Sequence, residues 1–185
     1  MTEFVSVVAR AMLAAVFLAA FLGKAKTRES FRGFARSVQG LAKLPSDRVA
    51  WILATIVVAG EGLAAALLVS PLAPRLGFVI GGLMLLVFTG VVVRSVRAGI
   101  FAECRCFGGR GAIMSAAMVG RNLVLLAVAI TGAALPAASL LEQPLVSLPA
   151  VVVGIALAVL VIRYYDDFVR LLLRRHATAT AAHGE

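Results

Sequence analysis

The chain has 185 residues, 62% of them hydrophobic, and a mean hydropathy of +1.01. That lies well above the roughly 45–50% apolar content of globular domains, so a soluble enzyme is excluded and a membrane protein is expected. Spanning helices of about 20 residues leave room for about four to six of them and none for a second soluble domain. The net charge of +9 would point to nucleic acid in a soluble protein. Here the basic residues fall in the connections between apolar runs, where they set orientation and meet lipid head groups. No basic-aromatic patch lies outside the membrane, which excludes nucleic acid as a partner.

In chain order, five apolar runs stand out: Phe4–Gly23, Val49–Ser70, Leu76–Val96, Ala116–Leu135 and Leu145–Ile162. None alternates polar and apolar residues as barrel strands do, so each reads as a helix that satisfies its own backbone. Pro71, Pro74, Pro136 and Pro149 punctuate their ends or lie near them. The first run has no Lys or Arg before it, carries Glu3 in its leader and holds Arg10 inside it. It therefore reads as a retained helix rather than a cleaved signal. Between the first two runs, Phe31, Phe34, Val38 and Leu41 recur at helical spacing opposite Arg28, Arg32 and Arg36. This predicts an amphipathic interfacial helix that ends at Leu44-Pro45. The expected architecture is an all-α integral membrane bundle of about five helices with an interfacial helix between the first two. A single domain covers residues 1–176, and residues 177–185 form a disordered tail.

Lys and Arg concentrate on one side. The first connection carries Lys24, Lys26, Arg28, Arg32, Arg36, Lys43 and Arg48, and the third carries Arg94, Arg97, Arg105 and Arg110. The tail adds Arg163, Arg170, Arg174 and Arg175, whereas the other side has Arg75 outside a helix. The positive-inside rule then places the N-terminus out and the C-terminus in.

Several residues are able to carry chemistry. The two cysteines of the chain stand one residue apart in Cys104-Arg105-Cys106-Phe107-Gly108-Gly109. A thiolate is the reactive form, and Arg105 and Arg110 favour it while Glu103 opposes them. A disulfide closed across one intervening residue is strained and readily reduced. The pair suits dithiol–disulfide exchange, soft-metal binding, or a plain structural role as small apolar side chains. Glu61 lies near the middle of the second run, where a carboxylate is costly and is paired or functional. Counting inward from the run ends puts Arg10 and Glu61 at similar depth, so an Arg10–Glu61 ion pair is expected. Arg121-Asn122 lies early in the fourth run, where Arg121 either reaches the interface or faces the cysteines or a bound head group. Lys24 reads as an ordinary flank of the first helix. Gly77-Phe78-Val79-Ile80-Gly81 in the third run and Gly60 to Ala64 in the second are small-residue packing motifs.

These pieces, in order, resemble the MauE family, the methylamine-utilisation membrane proteins grouped with DoxX-like redox-associated proteins. The matching elements are Arg10, Gly23-Lys24, the Phe31…Phe34…Val38…Leu44-Pro45 loop, Glu61-Gly62, Phe88, Cys104-x-Cys106-Phe107-Gly108 and Arg121-Asn122. The resemblance covers roughly residues 5–130. The family usually has Gly inside its CxC element, and this chain has Arg105.

The resemblance implies an inner-membrane bundle tied to thiol redox chemistry. Its named members are associated with maturation of the disulfide-rich small subunit of methylamine dehydrogenase, beside a thioredoxin-like partner. On that basis Cys104, Cys106, Arg105 and Arg121 are the candidate working residues. Glu61, Arg10, Asn122 and Phe107 are candidates to contact a cofactor such as a quinone. With one cysteine pair, electrons must pass to a quinone, to a partner protein, or through a switch that exposes the pair to both sides. The alternatives are a membrane carrier for copper or mercury, and a non-enzymatic scaffold for a redox partner.

Overall fold

A computed structural model describes residues 1–42, 44–97, 103–104, 112–113, 116–136 and 144–164. The elements run α1 (Thr2–Ala25), α2 (Arg28–Ala42), α3 (Asp47–Val69), α4 (Pro74–Arg97), β1 (Glu103–Cys104), β2 (Ala112–Ile113), α5 (Ala116–Ala134) and α6 (Pro144–Arg163). The five apolar runs are α1, α3, α4, α5 and α6, and the amphipathic stretch is α2. Three of them, Thr2–Ala25, Asp47–Val69 and Pro74–Ser95, are long and apolar enough to cross a membrane. The protein is thus an all-helical membrane protein, with a two-stranded hairpin as its one departure among the described residues.

Helix α1 is the hub. It packs against α3 and α6 and also meets α2, α4 and α5, while α3 packs on α4 and α4 on α5. Its composition permits this, because α1 is apolar nearly all round and so suits a helix enclosed by others. Leu13, Phe17, Ala64, Leu68, Phe78, Leu85, Leu125 and Ala129 fill the centre. The outward faces of α3, α4, α5 and α6 expose large residues such as Ile56, Leu83, Val87, Ile130 and Val152, as a lipid-facing surface does.

Local chemistry sets the element boundaries. Thr27 caps α2, its Oγ1 accepting the backbone N–H of Ser30 at 3.0 Å. Ser46 caps α3, its side chain accepting from the N–H of Arg48 at 3.3 Å, and Asp47 adds a first-turn acid. Each cap satisfies a donor that the helix leaves orphaned. Pro74 opens α4 and Pro144 opens α6, in the first turn, where the missing N–H has no intrahelical partner to lose.

The small-residue motif serves packing inside the chain. A Cβ on Gly77 would lie 2.8 Å from the backbone nitrogen of Leu68, and one on Gly81 would lie 2.6 Å from Cε2 of Phe17. Glycine lets α4 approach α3 and α1 this closely.

Helix α2 lies across one end of the bundle. Its Phe34 and Ala35 are buried against Ala54 and Val58 of α3 and Phe21 of α1. Leu41 reaches Val92 of α4 and Met118 of α5. The expected apolar face is therefore real, and it is covered by protein. This end collects the C-terminus of α1, the N-terminus of α3, the C-terminus of α4 and the N-terminus of α5. The hairpin joins it, since β1 lies against α2. At the opposite end Ser6 Oγ of α1 donates to the carbonyl of Pro136, just beyond α5, at 3.2 Å. Helix α6 thus starts at that far end and returns with Arg163 to the α2 end. The tail expected at 177–185 lies outside the described residues.

Candidate functional site

Among the described residues, two polar arrangements stand out inside the apolar bundle. In the first, Lys24 Nζ donates to Glu61 Oε1 at 2.5 Å, with the lysine side chain 2% exposed and the carboxylate 10%. The ammonium also sits 5.0 Å from the centroid of Phe34, a distance at which the ring face attracts a cation. Phe34 thus closes the pair from the α2 side. The second carboxylate oxygen, Glu61 Oε2, is buried without a hydrogen-bond partner among the described residues.

In the second, Arg10 donates through Nε to the carbonyl of Leu68, and through Nη2 to the carbonyls of Val69 at 3.1 Å and Ser70 at 2.8 Å. These are the last carbonyls of α3, which the helix leaves unpaired. A guanidinium there also complements the negative end of the helix dipole.

The expected Arg10–Glu61 pair is therefore corrected: Glu61 pairs with Lys24, and Arg10 caps α3. The reason is register. Helix α1 overhangs the end of α3, so that Arg10 is level with Leu68 to Ser70 and not with Glu61. Side chains lean toward the N-terminus of their own helix. In the antiparallel α1 and α3, Lys24 and Glu61 lean toward each other, and Arg10 leans away toward the end of α3. Lys24, read as a flank, is one of the most buried side chains in the protein. The signal that finds it is the combination of a lone buried carboxylate with a lysine on the adjoining helix within one long side chain of its level.

Arg121 and Asn122 are both buried, at 3% and 2% exposure, in the second turn of α5. They face the protein, and Arg121 does not reach out to the interface. Asn122 Nδ2 has no hydrogen-bond partner among the described residues. Ser95, near the end of the neighbouring α4, is buried as well. Cys104 stands in β1, paired across the hairpin with Ala112, while Glu103 pairs with Ile113. Arg105, Cys106 and Phe107 lie outside the described residues. The structure thus brings to one end of the bundle the Cys104 strand, α2, the first turns of α5 and the Lys24–Glu61 pair. It places Arg10 at the other end.

An apolar helical bundle built around a central first helix, with an amphipathic helix and a cysteine-bearing hairpin across one end, defines a polytopic membrane protein. A family model described as methylamine utilisation protein MauE matches residues 2–135, which span α1 to α5. The methylamine utilization protein MauE of Paracoccus denitrificans is 35% identical over 131 residues, covering 70% of this chain and 69% of that protein. No solved structure matches. The chain belongs to the MauE family. Helix α6 lies beyond the matched residues.

Proposed function

We propose that the protein is a thiol–disulfide redox protein of the bacterial inner membrane, with Cys104 and Cys106 as its working pair. The observation that carries this reading is the placement of the Cys104 strand against α2, at the basic end of the bundle. Arg94 and Arg97 end α4 at the same end of the bundle, and Arg105 and Arg110 adjoin the cysteines in sequence. Such a field favours the thiolate that attacks a disulfide.

In the exchange, one thiolate attacks a sulfur of a partner disulfide and forms a mixed disulfide. The second thiolate then displaces it. The Cys104–Cys106 disulfide forms, the partner becomes a dithiol, and two electrons have passed to it. The reverse sequence oxidises the partner.

The relative's name places it in methylamine utilisation; the role proposed for this chain is maturation of a disulfide-containing exported protein beside a thioredoxin-like partner. Glu61 and Asn122 each offer a buried polar atom to a quinone. The two cavities at α2, however, are lined by neither of them nor by Arg10. The thioredoxin-like partner is the electron exchanger of this proposal. The charge bias of the α2 end supports an orientation with the N-terminus out and the C-terminus in.

Labelling with a membrane-impermeant maleimide, in oriented vesicles with and without reductant, tests the reading. The wild-type pair is expected to label only after reduction and from the α2 side. Cys104→Ser and Cys106→Ser are each expected to abolish exchange with a thioredoxin-like protein. Thiols that label equally with and without reductant would sink the proposal.

A further inference from the structure

The outward side of α2 has a use that its anchoring role does not require. Two open cavities adjoin there, of about 500 and 460 Å³, and they share Arg32 and Trp51 as common walls. The first is completed by Arg36, Gln39 and Asp47, and the second by Arg28, Thr27 and Phe31. Arg28, Arg32 and Arg36 repeat every fourth residue, so their Cα atoms climb one face in steps of about 6 Å. All three are exposed, and among the described residues none of them makes an ion pair. The wall carboxylate, Asp47, is held by Gln39, whose Nε2 donates to its Oδ1 at 2.7 Å.

The arginines are not on a loose strand of chain. Phe34 pins the opposite side of α2 into the bundle, so their backbone is fixed before any ligand arrives. Trp51 packs on Phe31 with ring centroids 5.0 Å apart, which gives the cavities an apolar floor. Trp51 also belongs to the first turns of α3, at the level where a spanning helix leaves the hydrocarbon and where tryptophan concentrates.

We infer that this corner binds the phosphate group of an anionic phospholipid head group, with the arginine forks on the phosphate oxygens and the Trp51–Phe31 wall against the acyl-chain end. Guanidinium forks match phosphate oxygens in pairs, and a row of uncompensated arginines at a bilayer surface meets anionic lipid first.

The chain's one tryptophan is Trp51, so its emission reports on the site directly. Full-length protein in a neutral detergent is titrated with short-chain phosphatidylglycerol, phosphatidylcholine, inorganic phosphate or a poly-glutamate peptide. Phosphatidylglycerol is expected to give a saturable change, and phosphatidylcholine and inorganic phosphate none. Arg32→Gln, at an exposed position whose helix content circular dichroism checks, is expected to weaken binding by about tenfold, the loss due to charged hydrogen bonds. Arg163→Gln, at the same end but outside the cavities, is expected to leave binding unchanged. Equal titration by phosphatidylcholine overturns the proposal, and so does an equal loss in Arg163→Gln, which would mark diffuse surface charge. Saturation by inorganic phosphate alone would mean an anion site with no lipid component. Tighter binding of poly-glutamate than of phosphatidylglycerol would assign the face to an acidic protein segment.

Discussion

Removing Lys24 should cost more than removing Glu61, although they are partners in one ion pair. At 2.5 Å and an effective dielectric of about 20, their attraction is about 7 kcal/mol before desolvation is counted. Taking both ions out of water offsets most of it, at several kcal/mol each. The pair as a whole therefore adds little, and a single deletion is what hurts. Lys24→Met strands the Glu61 carboxylate, which is only 10% exposed and lies about 21 Å along α3 from Asp47. The expected loss is about 3–5 kcal/mol. Glu61→Leu strands Lys24, but Lys24 stands beside the end of α1, and its four-carbon stem can swing the ammonium to the interface. The expected loss there is about 1–3 kcal/mol, less than that of a trapped charge. The double variant removes both charges and should recover to within about 1 kcal/mol of wild type, giving a coupling of about 3 kcal/mol or more. Reversible unfolding in mixed detergent micelles, followed by far-ultraviolet circular dichroism, measures all four corners of the cycle. Additive single effects of under about 1 kcal/mol would refute the reasoning, because they would mean the pair is solvated like a surface bridge.

Arg10→Leu removes the donors that hold the last carbonyls of α3, and in the same assay it should lose about 2–3 kcal/mol. Arg10→Lys should restore less than half of that, because an ammonium lacks the fork that reaches several carbonyls at once. Gly81→Ala drives a Cβ into Phe17 and should cost about 1–3 kcal/mol. The cost should fall sharply in a Phe17→Leu background, a non-additivity that a double-mutant cycle reads directly. Phe34→Ala empties the contact that seats α2 on α1 and α3, so tryptic cleavage after Arg32 and Arg36 should become fast while the spanning helices stay protected. Unchanged cleavage would mean that α2 is held by other contacts.

Where hydrophobic pattern alone decides the structure, it is legible in the chain. The runs ending near Gly23, Ser70, Val96 and Leu135 become α1, α3, α4 and α5 because a bilayer admits no other backbone solution. The spacing of Phe31, Phe34, Val38 and Leu41 marks α2 because those residues must share a side. Depth is another matter. Counting residues from run ends treats the helices as flush, and α1 and α3 are not, so Arg10 was matched to the carboxylate that belongs to Lys24. The lean of side chains along a helix, about a turn in each direction, decides which polar groups meet, and hydropathy does not carry it. The hairpin at Glu103–Cys104 and Ala112–Ile113 was equally hidden, since strands of two residues have no period to detect.

The buried pair and the hairpin meet at α2, and this bears on how a single dithiol would work. One cysteine pair has no second pair to which it can hand electrons across the bilayer, so either a switch exposes the pair to both sides or its partner comes to its own side. On the proposed orientation that side is cytoplasmic and reducing, and a strained disulfide there is reduced readily. The proposed direction of flow then starts with reduction of the Cys104–Cys106 disulfide at the α2 end. The open question becomes mechanical: what lets a hairpin seated on α2 present its thiols to an exported substrate. The seat itself rests on Phe34, which covers Lys24. Loosening α2 would therefore free the hairpin and uncover the Lys24–Glu61 pair together. Impermeant labelling of Cys104 in Phe34→Ala vesicles separates the two possibilities. Faster labelling on the α2 side alone supports an inward-facing pair served by an inward-facing partner. New labelling from the opposite side would support a pair that reaches both.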